Sequence, residues 1–373
     1  MKKFFNFACL ALLAVMLSAA FTACTPRQAA APGAGQITVR LLTDASSIDD
    51  RSFNAAAWRG ILEFYGDTWE NQRGRGSLYD VINAQTMDMY IPILRTATDE
   101  GHDLIIATGF TWESAIREVA AQNPRQSYMI VDVHVDNMPN VLGILFAEHE
   151  GSFLVGAAAA LRAAEDGIVN PRFGFIGGIP GAVITRFHVG FIQGVLSVLP
   201  NARFVDYYAN SWGQPALAKT QAMNWFADGV YVIFAAAGAT GNGAIAQARE
   251  ERDAGRNVWA IGVDSDQHED GIFNAAGDSA VLTSMLKLVE SGTLYALEAV
   301  RDGTFSGRTL TFGLREGGVG FSTANPAMTP DIVRQVNLAR DRIINGEIRV
   351  YSTLREAVAN VPNFPRNLLA RDD

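Results

Sequence analysis

Carboxylates, glycines and one pair of unlike side chains gather where apolar runs of this chain end. Asp44 comes soon after Ile37–Leu42, Asp132 follows Tyr128–Val131, and Asp264 follows Val258–Val263. Gly109 and Phe110 follow Leu104–Thr108, Gly177 and Gly178 follow Phe173–Ile176, and a glycine-rich stretch from Gly238 to Gly243 comes just after Val230–Ala236. A carboxylate in such a place accepts hydrogen bonds from hydroxyl or amino groups, and a glycine lets a ligand approach the backbone. Further along from Asp44 stand Phe53 and Asn54, a flat apolar face beside a carboxamide that can both donate and accept. Asp49 and Asp50, just before them, read as acids of a helix N-terminus, favourable to its dipole and close to solvent. Asp and Gly are common in such loops for local reasons, so the whole set, more than any member, points to a ligand.

Lysine usage singles out one more residue. Past residue 3 the chain has two lysines, Lys219 and Lys287, against 26 arginines. A lysine kept where arginine serves elsewhere suggests a need for a compact, rotatable ammonium. Lys219 reads as a mid-helix surface residue. Lys287 lies in "LTSMLKLVE", where a strand is expected to pass into a helix over Met285–Arg301.

Catalytic templates fit less well. Gly241, Gly243 and Ala246 match G-x-G-x-x-A between a strand and a helix, and Asp264 ends the next strand, as in a dinucleotide site. The motif is weak alone and falls mid-chain, away from a first βα turn. The sequence has no phosphate-loop, G-x-S-x-G or H-E-x-x-H pattern. Its five histidines lack metal-ligand spacing, and "DSDQHED", residues 264–270, lacks that of a calcium loop. The expectation is a binding protein, without enzymatic activity, metal or cofactor.

The elements that hold these residues alternate. Strand-length apolar runs are separated by stretches of helical period, such as Phe53–Tyr65, Trp112–Gln122, Gly151–Ala164, Val183–Leu199, Ala216–Phe226 and Ala244–Ala254. That pattern gives β-α-β units and parallel sheets. Two series are visible, 37–146 and 151–264, each long enough for one doubly wound sheet. The remainder, with a strand at Thr309–Gly313 and a helix at Pro330–Asn345, completes them. The expected lobes are 37–146 with 280–305, and 147–279 with 306–360, leaving 361–373 as a tail. Ligands of such sheets sit beyond the carboxyl ends of the strands, where the carboxylates and glycines above are found.

The first residues bear on compartment. Lys2 and Lys3 precede an apolar stretch, Phe4–Leu17, too short to span a membrane, then small residues and Cys24. "FTAC", residues 21–24, resembles the lipobox of bacterial lipoproteins, which implies removal of residues 1–23 and lipidation of Cys24. Residues 24–36 then form a flexible tether. Cys9 would be lost and no disulfide could form in the body. The formal charge would move from −9 to −11 with loss of two lysines and no acid, a poor surface for nucleic acid.

Taken together, "IDDRSFNAAAWRG", "IVDVHV", "GFIGGIPGAVITRFHVGFIQGV", "VIFAAAGATGNG", "IGVDSDQ" and "LTSMLKLVE" resemble the basic membrane lipoprotein family, the purine nucleoside receptors of bacterial ABC importers. The resemblance spans about Ile37 to Asn345. It implies the type I periplasmic-binding-protein fold, two doubly wound lobes with three crossovers and the ligand in the cleft between them. It also implies roles. Phe53 and Phe187 sandwich a base, and Asn54 and Asp132, with Asp44 helping, bond its edge. Asp264 takes ribose hydroxyls, Lys287 donates to the ribose, and the backbone at Gly238 closes over the sugar. The implied partners are a purine nucleoside (guanosine, inosine or adenosine), an ABC permease with its ATPase, and the membrane through the lipid anchor, for a monomer that binds no nucleic acid. A sugar-binding or sensory protein of the same fold is the alternative, and a nucleosidase or dinucleotide-dependent enzyme a more distant one.

Overall fold

A computed structural model describes residues 36–371 of the chain. Residues 1–35, and with them the expected signal segment, Cys24 and most of the tether, lie outside the described residues. In chain order the elements are β1 (Val39–Thr43), α1 (Phe53–Tyr65), β2 (Tyr79–Asn83), α2 (Tyr90–Asp99), β3 (Leu104–Ala107), α3 (Glu113–Gln122), β4 (Ser127–Val131) and β5 (Val141–Phe146). There follow α4 (Glu148–Glu165), β6 (Arg172–Gly177), α5 (Ala182–Val198), β7 (Arg203–Tyr208), α6 (Pro215–Ala227), β8 (Val230–Ala236), α7 (Asn242–Asp253) and β9 (Trp259–Asp264). The last are β10 (Val281–Lys287), α8 (Val289–Arg301), β11 (Arg308–Phe312), β12 (Val319–Phe321), α9 (Pro330–Ile344) and α10 (Leu354–Asn360).

These strands form because they are apolar on both faces. β3 and β8 are buried at every residue, as expected of parallel strands covered by helices on both sides. Helices form where the period lengthens. α1 presents Ala57, Trp58 and Ile61 to the core. It stops at Gly66 (φ 67°), whose N–H closes onto the carbonyls of Leu62 and Glu63.

The twelve strands make two six-stranded sheets, ordered β11-β5-β4-β3-β1-β2 and β12-β10-β9-β8-β6-β7. Every neighbouring pair is parallel except β10 with β12. The same winding occurs twice, so each sheet reverses direction at its first strand. Such a reversal opens a crevice at the carboxyl ends of the strands beside it. The chain passes between sheets three times, at Phe146 to Glu148, Lys287 to Val289, and Phe312 to Val319.

The strand assignments correct the expected lobe boundaries. β10 lies within 280–305 but belongs to the second sheet, and β11 lies within 306–360 but belongs to the first. The helix expected over Met285–Arg301 is a strand through Lys287 and a helix only from Val289. Met285 is fully buried beside β9, and an apolar run buried on all sides carries no period to separate the two states. Nor are residues 361–371 a loose tail: Phe364 and Leu368 are buried in a cluster with Val189, Ile192 and Leu196 of α5.

Candidate functional site

Beyond the carboxyl ends of both sheets lies a slot with about 520 Å³ of empty space, part of it open to solvent. Its walls include Asp44, Phe53, Asn54 and Asp132 from the first lobe and Phe187, Gly238, Asp264 and Lys287 from the second. All eight residues expected from the sequence therefore meet around one space, though not in the same chemical situation.

On the first lobe, Asp44 turns the chain after β1. Its Oδ1 accepts from the Ser46 N–H at 2.9 Å, from the Ser46 hydroxyl, and from Asn54 Nδ2 at 3.1 Å. Burial outweighs these bonds and pushes its carboxyl above the usual range. Asp50 sits beneath the start of α1 and accepts from the backbone N–H groups of Ser52, Asn54 and Ala55 at 2.9, 2.7 and 3.0 Å. It is fully buried, not near solvent as expected, and burial pushes its carboxyl to about 7 against those three bonds. Only Asp49 is the exposed acid that the helix-dipole reading describes.

This cradle fixes the two residues that follow. Phe53 opens α1, half-buried, with its ring in the slot. The Asn54 amide donates to Asp44 and to Ser46 Oγ (3.0 Å), while its oxygen accepts from Thr108. Asp44 and Ser46 lie side by side and share one N–H of the amide, so the other N–H and part of the oxygen's acceptor capacity are left over.

The charged centre joins the lobes. Asp132 follows β4 in a left-handed conformation (φ 71°), which aims its carboxylate across the slot. Both oxygens lie 2.7 Å from Lys287 Nζ. Lys287, 1 % exposed at the end of β10, also lies 3.0 Å from Glu148, which accepts from Arg186 Nε at 2.5 Å. Burial disfavours the ammonium, but Asp132, Glu148 and Asp264 outweigh it and hold Lys287 charged above the usual lysine range. Burial likewise opposes the Glu148 anion, and Lys287 and Arg186 reverse that and lower it. The ammonium lies 4.9, 5.3 and 5.5 Å from the ring centres of Phe53, Phe146 and Phe187, close enough for cation–π attraction. Arginine's fork would not fit this packing.

Asp264 is different. It ends β9 with φ 65° and is buried, and among the described residues no hydrogen bond reaches its carboxyl. Burial pushes it to about 8, Lys287 opposes this, and the Asp132 and Asp50 charges add to it. A buried carboxyl lining a cavity without a partner is built to receive donors from outside the chain.

Two aromatic residues that sequence reasoning left without a role close the mouth. Phe110 of the first lobe meets Trp212 of the second edge to face, centroids 6.0 Å apart. Trp212 lies in the loop that follows β7. Its ring lies so close to Gly178 that a Cβ there would stand 2.0 Å from it. Gly238 (φ 55°) sits beside Trp212 and Ser46. Gly243 does not cradle phosphate: a Cβ there would meet the Pro215 carbonyl at 1.9 Å, so it serves the packing of α7 on α6. Further contacts hold the lobes together: Arg51 with Asp270 (2.6 Å), Arg59 with Ser265 (2.7 Å), and Asn242 Nδ2 with the Asp50 carbonyl (3.0 Å). No group of residues suited to hold a metal ion occurs among the described residues.

Residues 37–353 match the profile of a family described as ABC transporter substrate-binding protein PnrA-like. A relative named CD4+ T-cell-stimulating antigen, from Listeria innocua, is 36 % identical over 84 % of this chain and 87 % of its own. Another, named ABC transporter nucleoside-binding protein BmpA, from Lactococcus lactis subsp. cremoris, is 32 % identical over 84 % and 88 %. Among solved structures, an ABC transporter system solute-binding protein from Aeropyrum pernix K1 superposes with a TM-score of 0.75 at 26 % identity, covering 85 % of this chain and 94 % of that one. The fold and the slot agree with these likenesses, and the chain belongs to the PnrA-like family of ABC transporter substrate-binding proteins.

Proposed function

We propose that the slot binds a purine nucleoside and that the protein, anchored by lipid at Cys24 outside the cytoplasm, hands it to an ABC permease and its ATPase. One observation carries this reading: the unpartnered, buried carboxyl of Asp264 stands beside the Lys287 ammonium at the edge of a slot walled by Phe53 and Phe187. A base needs flat apolar faces, and a ribose presents adjacent hydroxyls that a carboxylate can accept together. A free sugar would leave the aromatic walls underused, and a free base would leave Asp264 unpaired. The relative from Lactococcus carries a nucleoside-binding name, which supports the same reading. Binding without chemistry fits as well, because Asp50 and Asp132 are engaged in holding the site and the matching family is one of substrate-binding proteins.

Calorimetric titration with guanosine, inosine, adenosine, guanine and ribose tests it. Purine nucleosides should bind at least about a hundredfold more tightly than guanine, since two charge-assisted hydrogen bonds are at stake. Equal binding of guanine and guanosine, or preference for ribose, overturns it.

A further inference from the structure

Lys287 Nζ has two carboxylates within 3.0 Å but bonds only one of them well. It lies 2.7 Å from both oxygens of Asp132. Glu148 Oε1 is 3.0 Å away, yet it is buried and accepts no aligned hydrogen bond. The distance is already that of a hydrogen bond, so a small turn of the Lys287 side-chain end or of the Glu148 carboxyl would align it. Glu148 is fully buried at the first residue of α4, and its other oxygen is held by Arg186 of α5. Neither Glu148 nor Arg186 lines the slot, whereas Asp132 and Lys287 do.

We infer that Glu148, braced by Arg186, is a standby acceptor for the Lys287 ammonium, which frees Asp132 to turn toward a donor on the bound ligand. Removing one partner of a buried ion pair is costly because it strands the other charge. Asp132 and Lys287 satisfy each other across the lobes. A ligand N–H or O–H that claimed Asp132 would strand Lys287 if Asp132 were its sole anion. With Glu148 alongside, the ammonium exchanges one acceptor for another, and Arg186 keeps Glu148 ionised and in place. Glu148 is therefore a positioning residue that acts on the ligand through Lys287. The inference rests on the nucleoside reading of the slot.

The test is a cycle of guanosine titrations on wild type, Glu148→Gln, Lys287→Met and the double variant. Glu148→Gln should weaken guanosine by about ten- to a hundredfold, the scale on which outer partners of a ligating group act. In the Lys287→Met background it should have no further effect, which a general loosening of the fold would not reproduce. The inference is overturned if Glu148→Gln binds as wild type does, or if it weakens binding equally in both backgrounds. Where Glu148→Gln does not fold, Arg186→Met removes the brace without touching the slot and should show the same dependence on Lys287. Where no variant folds, wild type decides: Lys219 and Lys287 are the only lysines past residue 3, so NMR of lysine labelled at Cε reads Lys287 directly. Guanosine should shift its signal while leaving it in the charged form, and an unmoved signal overturns the inference. Failure of wild type to bind any purine nucleoside overturns the nucleoside reading and this inference with it; binding without the Glu148 effect overturns the inference alone.

Discussion

Single side chains in the slot carry opposed duties, and Asp264 shows the cost of one of them. Its carboxyl is held near 8 in the folded protein, mainly by burial, against an ordinary value near 4 in an unfolded chain. Between those values the unfolded state has released a proton that the folded state keeps. Stability of the empty protein should therefore fall as pH rises from about 4 to about 8. Asp50, held at about 7, adds in the same direction. Asp264→Asn removes the larger contribution, so the variant should melt higher than wild type at pH 8 and show a flatter melting profile with pH, while binding guanosine more weakly. Melting temperatures across that range check this, and a variant no more stable than wild type at pH 8 refutes it. The aromatic walls give a separate expectation. Phe53→Ala and Phe187→Ala should each weaken a purine nucleoside by roughly 1–3 kcal/mol, the scale of base–aromatic stacking. Phe53→Ala should lower the melting temperature less, the ring being only partly buried, than Phe187→Ala, which removes a ring 2 % exposed and packed on Phe234. An unchanged dissociation constant in both variants would put the base elsewhere.

At the scale of elements, the β7–α6 loop is held in place by a missing side chain. Trp212 can lie over the end of β6 only because Gly178 has no Cβ. Gly178→Ala should displace the ring from Phe110 and open the mouth of the slot. Tryptophan fluorescence should shift, and guanosine should leave faster with little change in its rate of entry, since ligand variants usually differ in off-rate; stopped-flow release measures it. Much of this level was legible in the sequence. The seven strands expected above recur within two residues of their predicted ends, most of them because parallel strands covered on both faces leave uninterrupted apolar runs. What escaped was hidden for physical reasons. β12 has three residues, too few for a period, and Met285–Lys287 reads equally as buried strand or buried helix. At the site, carboxylates at strand ends were visible because strand ends are. The pairing of Lys287 with Asp132 and Glu148 was not, since it depends on where three distant segments meet. Nor was the engagement of Asn54 by Ser46 and Thr108, which makes it part of the frame.

Over the whole molecule, two lobes share one slot and are joined by three short passages, the arrangement that permits hinged closure around a ligand. The passages support one another: the Ala147 N–H bonds the Phe312 carbonyl at 3.0 Å, and the Leu288 N–H bonds that of Gly318 at 2.9 Å. The proposed anchor has its own test at Cys24. Cys24→Ser should release the protein from the membrane fraction or leave a longer precursor, as fractionation and mass measurement would read; an unmodified wild-type Cys24 would refute it.

The order of the strands also sets a timetable. A chain made or exported from its N-terminus delivers residues 37–146 early, yet the first sheet lacks its edge strand β11, and the face of α1 lacks α8, until residues 289–312 arrive. At Gly60 the α1 backbone comes so close to α8 that a Cβ there would meet the Glu290 carbonyl at 2.7 Å, so α8 is a fitted cover. Until it docks, the earlier lobe shows an apolar face to its surroundings, the kind of surface that draws chaperones or aggregates. The lobe that begins first is thus finished among the last. A chain stopped at Lys287 would have every strand of both sheets except β11 and β12 and should still fail to melt as one cooperative unit, because completion of the first half is written near the end of the sequence.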